Sequence, residues 1–158
     1  FMVEGYGLTE CAPLVSCNPL NDTRRAGSIG VTFPSTDIRE VDPETGADVP
    51  LGEEGELWVS GPQRFMGYWK REDETAKTIT PDGWLRTGDI VRLDEDFFIQ
   101  IVDRIKEVII TGGFNVSPTE VEVALKQHDT VADAAVVGIP PPAGWWRSTP
   151  CANTATRR

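Results

Sequence analysis

From Asp82 the chain reads Asp-Gly-Trp-Leu-Arg-Thr-Gly-Asp as far as Asp89, and from Ile101 it reads Ile-Val-Asp-Arg-Ile-Lys-Glu-Val-Ile-Ile-Thr-Gly-Gly-Phe as far as Phe114. Between the two lie Ile90 to Leu93, an acidic Asp94-Glu95-Asp96 step, and Phe97 to Val102. Two short apolar runs flanking a polar tip predict a hairpin. Asp89 and Arg104 are then expected to close that strand pair from opposite ends, with a Gly112-Gly113 loop soon after.

Working outward, the segment from Ala26 to Arg104 alternates short apolar runs with turn residues, which predicts a β-rich unit. Strands are expected at Gly27 to Phe33, Asp37 to Val41 and Gly55 to Ser60. Pro43-Glu44-Thr45-Gly46 predicts a turn, because proline presets φ and glycine accepts a positive one. Gly52 to Gly55 predicts a second, acidic turn. Arg71 to Ile79 is rich in charged residues and helix formers and predicts a short helix that Asp82-Gly83 ends. Beyond Arg104, a strand over Lys106 to Thr111 is expected, then a helix from Ser117-Pro118-Thr119-Glu120. There Ser117 caps, Pro118 takes the first helical position and Glu120 completes a capping box. That helix is expected to run to about Gln127, and Val131 to Gly138 to form a buried strand, so a second, α+β unit opens after Asp103.

Composition limits the functions available. With 25 acidic and 15 basic residues the net charge is -10, the opposite of what counterion release on nucleic acid requires. No apolar run approaches the roughly 20 residues of a membrane span. Three cysteines, Cys11, Cys17 and Cys151, show neither a disulfide scaffold nor metal spacing and point to a reducing cytoplasm. His128 is the single histidine, between Gln127 and Asp129. A multi-histidine metal site is therefore excluded and His128 is expected at an exposed helix end.

Taken with Tyr6-Gly7-Leu8-Thr9-Glu10 near the start, the Asp82 to Phe114 stretch resembles the acyl-CoA synthetases of the adenylate-forming (AMP-binding) superfamily, and among them the long-chain fatty acid CoA ligases. The resemblance runs from about Gly5 to Pro140. It implies an α+β fold in which residues 1–102 are the β-rich, barrel-like end of a large domain. Residues 103–140 would be the hinge and the opening of a small domain, and 141–158 a tail foreign to the family. The chain is thus expected to be a truncated part of a longer enzyme. Exposed sheet edges left by the truncation predict self-association.

The resemblance also implies roles. Tyr6 would stack on the adenine of ATP, and Thr9 and Glu10 would be catalytic, Thr9 bonding the α-phosphate and Glu10 holding Mg2+, a hard ion suited to a carboxylate oxygen. Asp89 would accept both ribose hydroxyls, and Arg104 would reach the sugar or phosphate from the other side. Asp103 would be the hinge about which the small domain turns. Gly112 and Gly113 would line the approach of CoA, where the absence of side chains lets backbone come close to a ligand. Simpler readings stand beside these: a surface Glu10, an Asp89 that caps a turn, an Arg104 paired with Asp103 or Asp96, a Gly112-Gly113 turn and an exposed Lys106. Gly55-Glu56-Leu57, Gly61 and Gly67-Tyr68-Trp69 also match the family and are read as structural, the aromatics packing on the barrel. Phe97 departs from the family, which places glycine there.

The implied reaction joins fatty acid and CoA at the expense of ATP, giving acyl-CoA, AMP and pyrophosphate. The family's phosphate loop and its late lysine are expected outside these 158 residues, so the chain alone is expected to be inactive. The alternative is a non-catalytic remnant that binds nucleotide weakly or complements another chain.

Overall fold

A computed structural model describes residues 2–105, 109–111, 114–128, 130–139 and 151–152. Gly112, Gly113, Lys106 and most of the tail lie outside them. The fold is α+β and divides into two units, residues 1–102 and 103–158. The elements in chain order are β1 (Gly5–Gly7), β2 (Leu14–Cys17), β3 (Val31–Thr32), β4 (Asp37–Val41), β5 (Gly55–Ser60), α1 (Glu72–Thr78), β6 (Leu85–Leu93) and β7 (Ile99–Arg104). They continue with β8 (Ile109–Thr111), β9 (Phe114–Val116), α2 (Pro118–Lys126), β10 (Gly138–Ile139) and β11 (Cys151–Ala152). No helix among the described residues is long and apolar enough to cross a membrane.

In the first unit β1, β2 and β3 form one sheet and β4 to β7 another, each in sequence order. The expected strands over Asp37 to Val41 and Gly55 to Ser60 form as read and pair antiparallel, Val41 opposite Glu56 and Asp37 opposite Ser60. Val15, Leu57, Val59, Leu85, Val91 and Ile99 are fully buried between the two sheets' apolar faces. Along β6, Leu85, Asp89, Val91 and Leu93 are buried while Arg86 and Arg92 are exposed, the period-2 alternation of a half-covered strand. Asp42 holds the Pro43 to Gly46 turn by accepting from the Glu44 and Thr45 N–H groups at 2.9 and 2.7 Å. Asn18 gathers the loop after β2, donating to Arg25 O and accepting from Arg25 N–H, both at 3.0 Å.

Three expectations are corrected here. The strand expected over Gly27 to Phe33 shrinks to Val31–Thr32, because Gly27 and Gly30 both take φ of 79°, outside the β region. Even so, Gly30 O accepts from Ile99 N–H at 2.9 Å and Ile29 N–H donates to Ile99 O at 2.9 Å. Asp89 does not close the end of a strand: β6 starts at Leu85, since Arg86 and Leu85 continue the ladder opposite Trp58 and Val59. Trp69 does not pack on the sheet but is 86% exposed, the chain being turned there by Gly67 and Lys70 at φ 142° and 55°.

Phe97 has φ of 62° and is 62% exposed. The left-handed conformation explains why glycine suits this hairpin position, and a side chain this exposed recovers little of the cost by burial. Phe97→Gly is expected to stabilise the chain by about 1 kcal/mol, read as a higher urea midpoint at unchanged slope.

In the second unit Ser117 caps α2, its Oγ accepting from Glu120 N–H at 3.3 Å, with Pro118 in the first turn. The helix ends at Lys126 with Gln127 as its C-cap, and His128 is exposed beyond it. β8 pairs with β9, Ile109 opposite Val116, a short hairpin of which only the first strand was expected. The strand expected over Val131 to Gly138 is absent up to Gly138. The segment does alternate, Ala134 and Val136 being buried, but Val136 N–H donates to the Glu122 carboxylate at 2.8 Å instead of to a neighbouring strand.

Candidate functional site

The first unit brings two of the expected site residues together. Tyr6, from β1, donates its hydroxyl to Asp89 Oδ2, in β6, at 2.5 Å across a separation of 83 residues. Both are nearly buried. Burial first, and then the Asp89 carboxylate, push the Tyr6 phenol far above its ordinary value. The Tyr6 ring belongs to the apolar cluster of the unit, and its hydroxyl is the polar end of that packing.

Asp89 owes its place to a bulge. Trp58 pairs with Arg86 and Glu56 with Ile90, so Leu57 alone faces Thr87, Gly88 and Asp89. Gly88 takes φ of 75° to make this bend, the freedom that glycine supplies at bulges. Thr87 Oγ1 pins it on one side, donating to Leu57 O at 2.7 Å and accepting from Asp89 N–H at 3.1 Å. Glu56 pins the other side: Oε1 accepts from Gly88 N–H at 3.0 Å and Oε2 from the Trp58 indole N–H at 2.8 Å.

Thr9 and Glu10 lie on a 3-10 turn, Thr9–Cys11, that follows β1. Thr9 is exposed and Glu10 half-buried. Glu10 Oε1 accepts from the Tyr68 hydroxyl at 2.7 Å, and Glu10 O from Phe65 N–H at 2.7 Å. Phe65 and Tyr68 meet edge to face at 4.8 Å. The Tyr68 phenol is raised, chiefly by its bond to Glu10. Beside it Cys11 is fully buried, and burial with the Glu10 charge pushes its thiol up to about 11. A shallow groove of about 730 Å³ runs on from here, lined by Arg64, Tyr68, Trp69, Thr75 and Ile79 among others.

In the second unit Asp103 is buried and accepts from Arg104 N–H at 2.7 Å and from the Ser117 hydroxyl. Arg104 is exposed. Asp96, one alternative partner for it, is paired with Arg25, which also pairs with Asp94 and lies 4.2 Å over the Phe98 ring. Gly112 and Gly113 lie outside the described residues. Sequence reasoning read Glu56 and Tyr68 as structural only, whereas they touch the two carboxylate-bearing segments directly. The available signal was a charge at the second position of an otherwise apolar run, Gly-Glu-Leu-Trp-Val.

This arrangement has close counterparts. The profile of the family described as AMP-binding enzyme matches residues 1–69. The long-chain-fatty-acid--CoA ligase of Yersinia pestis is 52% identical over 139 residues, which is 88% of this chain and 24% of that protein. Among solved structures, ATP-bound MatB from Rhodopseudomonas palustris superposes with a TM-score of 0.83 at 38% identity, covering 89% of this chain and 28% of that one. O-succinylbenzoate coenzyme A synthetase (MenE) from Bacillus subtilis, in complex with AMP, gives 0.77 at 31% identity over 99% of this chain and 31% of that one. The chain therefore spans about a quarter of the length of the curated relatives it matches. With the Tyr6 to Glu10 turn and the Thr87 to Asp89 bulge set in a fold shared with these ligases, the chain belongs to the family of AMP-binding enzymes.

Proposed function

We propose that the chain carries part of the nucleotide site of a long-chain fatty acid CoA ligase, an acid-thiol ligase. The reaction consumes ATP, fatty acid and CoA and yields acyl-CoA, AMP and pyrophosphate through an acyl-adenylate. The observation that carries this reading is the Asp89 carboxylate, held on the bulge with an oxygen already engaged by the Tyr6 hydroxyl. A carboxylate so placed can accept two ribose hydroxyls, with the Tyr6 phenol as the group that yields. The adenine is assigned to Tyr6 by resemblance, and the phosphate to the exposed hydroxyl of Thr9.

Glu10 is the residue we assign to Mg2+. The donor set fits: a hard carboxylate, half-buried, with one oxygen oriented by Tyr68. No group of three or more His, Cys, Asp or Glu gathers among the described residues, which suits an ion whose other ligands are substrate oxygens and water. When bound, the ion neutralises charge on the phosphate oxygens. CoA is assigned to the Gly112-Gly113 loop by resemblance, and the cytoplasm as the compartment from the cysteine usage. The division between Val102 and Asp103 supports reading Asp103 as a hinge, and Arg104 is assigned to the nucleotide by resemblance. The Ser117 hydroxyl on Asp103 would then fix that hinge to the start of α2.

The test is calorimetric titration of the chain with a nonhydrolysable acyl-adenylate analogue, wild type against Asp89→Ala. Loss of charged hydrogen bonds worth about 1.5–3 kcal/mol predicts binding weaker by roughly 10- to 100-fold. Equal affinity in the two proteins would remove Asp89 from the site, and no binding in either would favour the non-catalytic remnant.

A further inference from the structure

We infer that Glu56 is a positioning residue for nucleotide recognition, its carboxylate setting the bulge that presents Asp89 to a ribose. The inference rests on the ribose reading of Asp89 and extends it to a residue that never touches the ligand. Glu56 is 7% exposed, and each of its oxygens accepts from a neutral N–H: Gly88 at 3.0 Å and the Trp58 indole at 2.8 Å. A buried carboxylate is costly unless hydrogen-bonded, and these two bonds satisfy it at the one place where the ladder is interrupted. A bulge leaves a backbone N–H without its cross-strand acceptor, and Glu56 accepts from the Gly88 N–H of this one.

The chemistry calls for an acid and excludes its amide. Both positions around Glu56 are donors, so both of its oxygens must accept. Glutamine has the same shape but offers one acceptor and one NH2, so one end must set donor against donor. The indole cannot easily turn aside, because the Trp58 ring lies under Arg39 and Arg86, whose guanidinium carbons are 5.6 and 4.9 Å from it. The strain then falls on Gly88, adjacent to Asp89. Replacing Trp58 by phenylalanine removes one donor, after which the glutamine oxygen can face Gly88 N–H and its NH2 the vacated side.

The experiment measures the affinity of the full chain for AMP and for 2′,3′-dideoxy-AMP, which lacks the ribose hydroxyls. The wild type is expected to favour AMP by roughly 10-fold or more, the scale of a charged hydrogen bond. Glu56→Gln should cut this ratio to about 2-fold, Trp58→Phe should leave it intact, and Glu56→Gln with Trp58→Phe should recover most of it. Thermal unfolding of each protein is recorded in parallel. A ratio unchanged in Glu56→Gln overturns the inference and leaves the ribose reading standing. A ratio lost in the single variant and still lost in a folded double variant also overturns it, since Glu56 would then act on general stability alone. If Glu56→Gln does not fold, the double variant decides between the same two outcomes. A wild type that binds both nucleotides equally, or neither, overturns the ribose reading of Asp89 and the inference with it.

Discussion

Gly30→Ala is expected to cost about 4 kcal/mol, while Gly27→Ala, at the same φ, is expected to cost about 1. The two glycines share a φ of 79°, so both substitutions place a Cβ in the left-handed region, at roughly 1–2 kcal/mol. Their surroundings differ. A Cβ on Gly27 would have nothing within 4 Å, whereas one on Gly30 would lie 2.1 Å from Cys17 C and O and 2.2 Å from Asn18 N. Those are backbone atoms at the end of β2 and cannot swing away as a side chain can. Moving them would disturb the Asn18 bonds that hold the following loop, and forced backbone shifts in a packed region add about 1–3 kcal/mol. Urea unfolding of both variants separates the two terms. Equal losses would mean that the close approach of the Gly30 segment to β2 contributes nothing.

Ile99→Ala is expected to cost about 3.5 kcal/mol, within the range for emptying a buried aliphatic site. Ile99 is fully buried in the cluster that joins the two sheets. Its backbone also receives the Ile29 N–H and, at 2.8 Å, the Ser28 hydroxyl, and donates to Gly30 O. The truncation therefore opens a cavity beside the segment that ties 28–30 to β7. Ile101→Ala, two residues along the same strand and 43% exposed, is the control and should change stability by less than about 1 kcal/mol. Similar losses in both would place the core elsewhere.

The parts of the fold that were legible are those set by local chemistry. β4 and β5 follow from alternation between turn residues, α1 from its charged helix formers, and α2 from Ser117 and Pro118. The failures are non-local. Nothing within Gly27 to Phe33 says that Gly30 must pass against Cys17, so the left-handed glycines looked like ordinary strand residues. Nothing within Val131 to Gly138 says that Glu122 will take the Val136 N–H. The site divides in the same way. The turn through Thr9 and Glu10 and the Thr-Gly-Asp triplet stand out through their resemblance to the family. Glu56 and Tyr68 match it too but read as structural, because their meaning lies in partners 32 and 58 residues away. A carboxylate inside an apolar strand was the clue, and only the bulge explains it.

The size of that bulge sets what insertions and deletions this strand can absorb. Three residues of β6 answer one of β5, a surplus of two, and side chains alternate with a period of two. The surplus therefore leaves the inward set in phase: Leu85 before it and Val91 and Leu93 after it all face the core. Deleting a single residue here would turn Val91 and Leu93 to solvent and bring Arg92 inward. Deleting two would iron the strand flat, with the core residues still in place and no turn to carry Asp89. Length changes of an even number can thus add or remove the carboxylate turn while the hydrophobic register stays the same, and odd ones cannot.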